Sequence, residues 1–496
     1  MARREVPRLR ICRRGEASVG ARREYVLYWM TASRRTRRSF ALERALYWAH
    51  RLDKPLLVFE PLRAGYAWAS DRLHAFVLQG MRDNAARFAG TPVHYFPYLE
   101  PEPGAGSGLL AALGKQAAVI VTDESPCFFL PRMLQAAAPR VDVLVESVDG
   151  NGLLPLRATE REFLRAYDFR RYLQKTLPPH LSDFPTADPL ANLRLPSLAA
   201  LPSGVTRRWP AAKLAGADSR EELARLPIDH AVVPSAVAGG ERSARRCLTR
   251  FLDETLPRYA AERSHPDADA ESGLSPYLHF GHLSVHEVFA QLASREGWTR
   301  SALGARAAGQ REGFWGMSQP SESFLDELVT WRELGYGFCS QRADYDRYES
   351  LPAWSRATLE AHASDVRDPC YGLEELERAA THDELWNAAQ RELVATGRMH
   401  NYLRMLWGKK ILEWSSSPRA ALTSMVHLNN KYALDGRDPN SYSGIFWCLG
   451  RFDRPWFPER PIVGTVRFMS SLNTKKKLRL GRYLERWGDA AQGRLF

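Results

Sequence analysis

Of the four tryptophans within Thr381–Trp447, three fall together with four polar or soft side chains. Trp407 and Trp414 are seven residues apart, so on one α-helix their indoles share a face, roughly 10 Å apart along the axis. Trp386 precedes them by one predicted helix and is able to pack against them. Tryptophans at helical spacing are most often core residues, but polar groups among core positions need a partner. Those polar or soft residues are Arg404, Met405, Asn429 and Asp435. The segment therefore predicts a buried binding site, with an ordinary tryptophan core as the alternative.

Three helices are predicted to position these residues. The first covers Asp383–Ala395 and the second covers Arg398–Trp414, in which apolar residues recur three and four apart as on a buried face. The third follows Ser417, a good N-cap, and Pro418, and it ends near Tyr432. The next stretch, Asp435–Asn440, consists of turn formers, so the chain reverses there.

The same segment carries two long motifs. From Trp386 the chain reads W-N-A-x-Q-x-E-L-x-x-T-G-x-M-H-x-Y-x-R-M-x-W-x-K-K-I-L-E-W, and from Leu428 it reads L-N-x-x-Y-x-L-D-G-R-D-P-N-x-Y-x-G-I-x-W. This pattern resembles the class II cyclobutane-pyrimidine-dimer photolyases, densely over roughly Leu274–Phe468 apart from one long insertion. The resemblance implies a deoxyribodipyrimidine photo-lyase, an enzyme that uses light and reduced FAD to repair UV-damaged DNA once the dimer has flipped out of the duplex.

The resemblance also implies which residues hold FAD. Asn429 is placed opposite flavin N5, where an amide can donate or accept, and Arg404 pairs with Asp435 beside the ring. The segment Glu271–Ser275 precedes a predicted helix start whose free N–H groups suit the pyrophosphate. The remaining implied cofactor contacts are Tyr259, Glu271, Ser272, Gly273, Leu274, Ser275, Gly436 and Arg437.

Further residues are implied for the lesion and for electron transfer. Glu327 is expected to hydrogen-bond the damaged bases, and Arg263 to reach the DNA. Trp331 and Trp447 are expected to stack on the dimer, with Met405 as an adaptable contact. The implied catalytic set is Glu327, Asn429, Met405, Arg404 and Asp435. Electrons are expected to reach oxidised FAD through Trp407, Trp386 and Trp414, named in the outward direction.

Composition limits the class of protein and its surroundings. The 496 residues suffice for two or three domains, and the formal charge of +12 suits a polyanion such as DNA without identifying one. Six cysteines are scattered without C-x-x-C spacing, which argues against a zinc site or a disulfide framework, so no metal is predicted. No apolar run approaches the length of a membrane span. We therefore expect a cytoplasmic protein, and a monomer.

The N-terminal part is predicted to be an α/β domain. Residues 1–23 are arginine-rich and predict an irregular tail, either weakly phosphate-seeking or simply solvated. Over 24–150 apolar runs alternate with helical stretches, which predicts a doubly wound parallel sheet. The resemblance implies a Rossmann-like domain for an antenna chromophore, often a deazaflavin, but the sequence departs from the family at Thr31–Arg35 and Arg38–Leu42, which leaves the antenna open. The predicted strands are Tyr25–Met30, Pro55–Glu60, Val93–Tyr98, Ala117–Thr122 and Val141–Glu146.

The rest of the chain divides into a connection and a helical domain. Residues 151–240 are proline-rich and predict a long interdomain linker. Residues 241–496 predict an all-helical FAD-binding catalytic domain, so the expected architecture is the photolyase/cryptochrome fold. Within it, Ser301–Ser323 is predicted to be an inserted loop, followed by a helix over Phe324–Leu334 that carries Glu327 and Trp331 at i and i+4.

Two alternatives to a repair enzyme stay open. One is a flavin photoreceptor of the cryptochrome type, favoured by the insertion and by the stretch Tyr336–Arg342, which departs from the family. The other is a nucleic-acid-binding α/β protein without a cofactor. The presence of the expected lesion contacts, such as Glu327 and Trp331, favours repair.

Overall fold

A computed structural model describes residues 5–159 and 161–489 of the chain. Contacts divide the chain into two compact units, each assembled from distant segments. The first unit comprises Met1–Thr159, Thr176–Leu248 and Leu274–Arg295. The second unit comprises Glu160–Lys175, Thr249–Gly273 and Glu296–Phe496. Within the described ranges, no helix is both long enough and apolar enough to span a membrane.

The first unit is built on one sheet. In the described residues it has six strands in the order β1-β6-β5-β2-β3-β4. Neighbours among β2 to β6 pair in parallel, whereas β1 pairs antiparallel with β6. Parallel neighbours need crossover connections, and helices supply them between the predicted apolar strands. The predicted α/β class is therefore confirmed. The strands are β1 Ile11–Arg14, β2 Tyr25–Trp29, β3 Leu56–Leu62, β4 His94–Leu99, β5 Ala117–Asp123 and β6 Val145–Val148.

Helices fill the remaining regular structure. The earlier ones are α1 Phe40–Leu52, α2 Asp71–Phe88, α3 Leu109–Gly114, α4 Leu130–Ala137, α5 Ala166–Thr176, α6 Ser203–Arg208, α7 Arg220–Leu223, α8 Glu241–Arg250, α9 Leu256–Glu262, α10 Ser275–His279 and α11 Val285–Arg295. The later ones are α12 Gln319–Leu325, α13 Arg332–Gln341, α14 Ala353–Ala361, α15 Leu373–Glu377, α16 Glu384–Thr396, α17 Asn401–Trp414, α18 Pro418–Tyr432, α19 Pro439–Cys448, α20 Ser471–Lys477 and α21 Gly481–Trp487. The segments Phe251–Thr255 and Asp326–Trp331 adopt π-helical geometry and interrupt the α-helices around them.

The N-terminal segment differs from its prediction. Ile11–Arg14 is a strand at the edge of the sheet, so the expected irregular structure is wrong there; residues 1–4 lie outside the described range. Arg10 is fully buried and donates to the carbonyl oxygens of Gly152 at 3.1 Å and Leu153 at 2.7 Å. An edge strand needs only backbone pairing on one side, and carbonyl oxygens satisfy the buried guanidinium. Neither property is visible in an arginine-rich composition.

The predicted inserted loop and the helix after it also differ. The helix begins at Gln319 rather than Phe324, and the Glu322 carboxylate on α12 accepts the backbone N–H groups of Gly313 and Gly316, the latter at 2.8 Å. One buried carboxylate thus fixes the end of the insertion. The helix then changes to π geometry over Asp326–Trp331, the stretch that carries two expected lesion contacts. Single π turns are frequent at functional sites.

Candidate active site

Helices α16, α17 and α18 begin at side-chain caps. Asp383 accepts the N–H of Trp386 at 3.1 Å, and Ser417 accepts the N–H of Ala420 at 3.2 Å, as its sequence predicted. The second helix starts at Asn401 rather than Arg398, because Gly397 ends α16 with a φ of 76° and His400 serves as the N-cap. These caps determine the residue at which each helix begins.

The three tryptophans form one buried series. The rings of Trp386 and Trp407 lie 6.5 Å apart and are nearly parallel, and those of Trp386 and Trp414 lie 5.8 Å apart at 68°. The indole N–H of Trp407 donates to Gln390 Oε1 at 2.9 Å, and that of Trp386 donates to the Trp407 carbonyl oxygen at 3.0 Å. Trp386 is therefore the middle member of a continuous aromatic path.

Arg404 lies about one turn before Trp407 on α17 and forms an ion pair with Asp435, which follows α18. Arg404 Nη2 is 3.1 Å from Asp435 Oδ1, and 25% and 17% of these side chains stay accessible. The neighbouring Met405 is also half-buried. Tyr402, Arg404 and Met405 are half-buried, whereas nearly all later positions of α17 are buried, so the start of α17 is its accessible part and is called the opening below. Arg404 and Asp435, which the resemblance pairs, therefore do form an ion pair in the structure.

Asn429 lies in the last turn of α18 next to this ion pair. It is 2% exposed, and its amide nitrogen donates to Ser441 Oγ at 2.5 Å. The following turn passes closely, because a Cβ added at Gly436 would lie 2.7 Å from the Asn429 carbonyl oxygen. Glycine is therefore required at 436, and the turn brings Asp435 to Arg404.

Arg437 is a buried cap rather than an open contact. Its guanidinium donates to the carbonyl oxygens of Asn430, Ala433 and Leu434, the last two at 3.1 and 3.2 Å. Its backbone N–H donates to Asn430 Oδ1 at 2.8 Å. A cation at the C-terminal carbonyls of α18 is favourable for the helix dipole. Arg437 thus shapes the turn that carries Asp435 and Gly436.

The segment predicted to bind the pyrophosphate, Glu271–Ser275, is divided between the two units. Glu271 Oε1 accepts the N–H of Asn401 at 2.7 Å and so caps α17, and Gly273 adopts a φ of 67°. Ser272 is half-buried in the same unit. Leu274 and Ser275 belong to the first unit, where Ser275 is exposed and opens α10, a helix of five residues. Such a short helix has a weak dipole, so any anion contact there depends on individual N–H groups.

A titratable cluster missed by sequence reasoning lies on α16. Glu392 Oε2 accepts the hydroxyl of Tyr483 at 2.8 Å and the N–H of His400 at 3.3 Å. Burial, assisted by the Glu271 carboxylate, raises the pKa of Glu392 to about 7. Glu392 belongs to the Trp386–Trp414 motif, but nothing in the motif showed that Tyr483, from the last described helix, closes over it.

Glu392→Gln is expected to stabilise the protein at higher pH. Because the folded-state pKa lies above the unfolded value, the folded protein keeps a proton that the unfolded chain has lost, so its stability falls as the pH rises towards about 7 and levels off above that. The wild type should therefore lose up to about 3 kcal/mol relative to the variant between pH about 5 and 8. Urea unfolding across this range measures the difference, with Glu374→Gln, at an exposed carboxylate of α15, as the control for one lost charge. Parallel stability curves would exclude the raised pKa.

The expected lesion contacts meet in an ion pair. Arg263 follows α9, and its Nη1 lies 2.7 Å from Glu327 Oε1 on the π segment. The Arg263 guanidinium also lies over the Tyr259 ring at 5.5 Å, and Tyr259 packs against Phe324 of α12 at 5.6 Å. Trp331 closes the π segment and is half-buried. Sequence reasoning assigned Arg263 and Glu327 separate roles, and the structure joins them.

Two cations flank Trp447, and sequence reasoning missed both. Lys409 Nζ lies 4.7 Å from the indole centre and donates to the Cys448 carbonyl oxygen at 2.8 Å. Arg467 lies 5.5 Å from the same ring and 4.1 Å from the ring of Trp456. Burial lowers the pKa of Lys409 to about 8. The lysine pair in the K-K-I-L-E-W stretch was the available signal, because a lysine on a buried helical face needs a partner.

Relatives with known names cover nearly the whole chain. It is 33% identical over 466 residues to the deoxyribodipyrimidine photo-lyase of Methanothermobacter thermautotrophicus, which covers 94% of this chain and 95% of that protein. It is 32% identical to the Arabidopsis thaliana protein of the same name over 96% of this chain and 92% of that protein.

A solved structure shares the fold. The bacterial class III photolyase from Agrobacterium tumefaciens matches 94% of this chain and 86% of its own, with a TM-score of 0.67 and 17% identity. No protein-family model matches the chain. The identities of 33% and 32% extend over more than nine tenths of this chain and of each relative, which shows the family. The chain belongs to the deoxyribodipyrimidine photo-lyase family of the photolyase/cryptochrome superfamily.

Proposed function

We propose that this enzyme repairs cyclobutane pyrimidine dimers in UV-damaged DNA, as a class II member of its family, by light-driven electron transfer from reduced FAD. The observation that carries the proposal is the buried series Trp407–Trp386–Trp414, which begins one turn from the accessible Arg404 and Met405. Such a series suits electron transfer to a redox cofactor held beside the half-buried Arg404–Asp435 pair.

The residues around the opening fit FAD. The amide of Asn429 can donate or accept, which suits flavin N5, and the Arg404–Asp435 pair presents both charges to a polar ring edge. His400 Nε2 is buried without a hydrogen-bond partner within the described part of the chain, so it is available to a polar group of the cofactor. When bound, FAD supplies the electron that splits the cyclobutane ring. The buried Arg437 supports the proposed site by shaping the turn that carries Asp435 and Gly436. The remaining proposed cofactor contacts are Tyr259, Glu271, Ser272, Gly273, Leu274, Ser275 and Gly436.

The DNA lesion is proposed to lie against the π segment and α19. Trp331 and Trp447 are half-buried, so each has one free portion of ring for stacking on a flipped dimer. Lys409 and Arg467 lie 4.7 and 5.5 Å from the centre of the Trp447 ring. Glu327 then faces the carbonyl groups of the bases, Met405 gives a soft contact, and Arg263 reaches a phosphate.

Three expectations lie outside this proposal. A deazaflavin-type antenna in the first unit stays a prediction. In that unit the stretch Thr31–Arg35 departs from the family sequence, and the Asp123 carboxylate accepts the N–H groups of Thr31, Ala32 and Ser33. A monomeric state and a cytoplasmic location also stay predictions.

The cofactor part of the proposal predicts that the protein purifies with FAD or takes it up. Native purification, absorbance spectroscopy and release of the bound flavin by denaturation measure this. Arg404→Ala should weaken retention of FAD, because it leaves Asp435 as an uncompensated charge at the opening. A matched change, Arg419→Ala, removes an exposed guanidinium paired with Glu349 and should leave retention unchanged. Absence of flavin together with no uptake of added FAD would refute the proposal.

A further inference from the structure

The Arg263–Glu327 pair joins two groups whose proposed partners both belong to the DNA. The donor Nη1 and the acceptor Oε1 are 2.7 Å apart, and 31% and 30% of the two side chains are accessible. A phosphate competes well for a guanidinium, since it accepts two parallel hydrogen bonds, whereas accessible ion pairs are weak. The arrangement seen without DNA must therefore change when both groups take up their proposed contacts.

The surroundings decide what happens to Glu327 when Arg263 leaves. Asp326 is adjacent and is held by Arg170 through bonds of 2.7 and 2.9 Å, so a second carboxylate stays nearby. Burial raises the pKa of Glu327, and Asp326 raises it further, whereas Arg263 and Arg311 lower it. Removing the largest of the lowering influences leaves a half-buried carboxylate beside a like charge, which favours the protonated form.

We propose that DNA binding exchanges this pair: the Arg263 guanidinium leaves Glu327 for a backbone phosphate, and the Glu327 carboxylate takes up one proton from solvent. The inference rests on the proposed function and deepens it. The neutral carboxyl donates its O–H to a carbonyl oxygen of the damaged base, which an ionised carboxylate cannot do. Breaking this ion pair thus frees Arg263 to position the DNA and gives Glu327 the proton that it donates to the lesion.

The exchange predicts proton uptake on binding. With a duplex that carries one cyclobutane thymine dimer, the Kd of the wild type should rise with pH, by at most about tenfold per pH unit because one proton is taken up. Glu327→Gln cannot take up this proton, so its Kd should change less with pH. Calorimetry in two buffers of different ionisation enthalpy counts the protons directly. Equal proton counts for wild type and Glu327→Gln would overturn the exchange.

Two more variants separate the exchange from a general loss of structure. Arg263→Ala should bind more weakly, reduce the slope of log Kd against log salt by about 0.9, and take up fewer protons, because Glu327 has already lost the guanidinium that favours its ionised form. Arg263→Ala with full proton uptake would contradict the exchange. Glu349→Gln breaks the exposed Arg419–Glu349 pair, which has the same 2.7 Å Nη1–Oε1 distance, and should behave as wild type.

The outcome is separable from that of the proposed function. Illumination of the same duplex with the wild type measures repair independently of the proton count. Repair without proton uptake refutes the exchange and leaves the function standing. Binding with proton uptake but without repair supports the exchange and refutes dimer repair.

Discussion

Trp407→Phe is expected to photoreduce its FAD at least about tenfold more slowly than the wild type, which corresponds to about 1.4 kcal/mol or more in the barrier. A phenyl ring is much harder to oxidise than an indole, and Trp407 is the tryptophan of α17 that lies nearer in sequence to Arg404 and Met405. FAD should still bind, because the polar contacts proposed for it are intact. Transient absorption after a light pulse measures the rate of flavin reduction.

The control must lose a buried indole elsewhere. Trp48 is 8% exposed and donates its indole N–H to Glu146 Oε2 at 2.8 Å, much as Trp407 donates to Gln390. Trp48→Phe should cost stability but leave photoreduction unchanged. Trp414→Phe should reduce FAD transiently and then lose the electron by recombination, since its path ends at Trp386. Unchanged kinetics of FAD photoreduction in Trp407→Phe would show that the tryptophans serve only as a structural core.

Glu327→Ala is expected to keep FAD and most of the DNA affinity but to repair on the order of tenfold or more less efficiently per absorbed photon, in line with the loss of one donor to a developing charge. The dimer becomes negatively charged when it gains the electron, so a carboxyl that donates a hydrogen bond stabilises that state more than the ground state. DNA affinity should persist because Arg263, released from its pair, still reaches a phosphate.

Measuring affinity and repair quantum yield on the same variant tests this role. Glu349→Ala, which removes an exposed carboxylate of the second unit, is the control and should match the wild type in both. A Glu327→Ala protein that repairs as well as the wild type would remove this residue from the mechanism and favour the photoreceptor alternative.

The sequence predicted those parts of the fold that depend on local patterns. The strands β2 to β5 were expected within two residues of their bounds, because apolar runs and turn formers are local signals. The strand β6 lies later than expected, at Val145–Val148, since the N–H of Leu144 bonds to the Ser18 carbonyl oxygen outside the ladder.

Features that depend on distant residues were not predictable. The strand β1 exists because β6 offers it a free edge, and Arg10 is buried because carbonyl oxygens 142 and 143 residues away accept from it. The π geometry at Asp326–Trp331 has no sequence signal in a single chain. The pair Arg263–Glu327 spans 64 residues, and the closure of Tyr483 over Glu392 spans 91, so periodicity carries no information on either.

The most direct test of the account is repair itself. The purified protein with reduced FAD is mixed with a duplex that carries one cyclobutane thymine dimer, and the dimer remaining is quantified after illumination and after an equal time in the dark. The account predicts restoration of intact thymines in the illuminated sample only, with loss of activity in Glu327→Ala. Protein that holds FAD and photoreduces it, yet leaves the dimer intact in the light, would contradict the account.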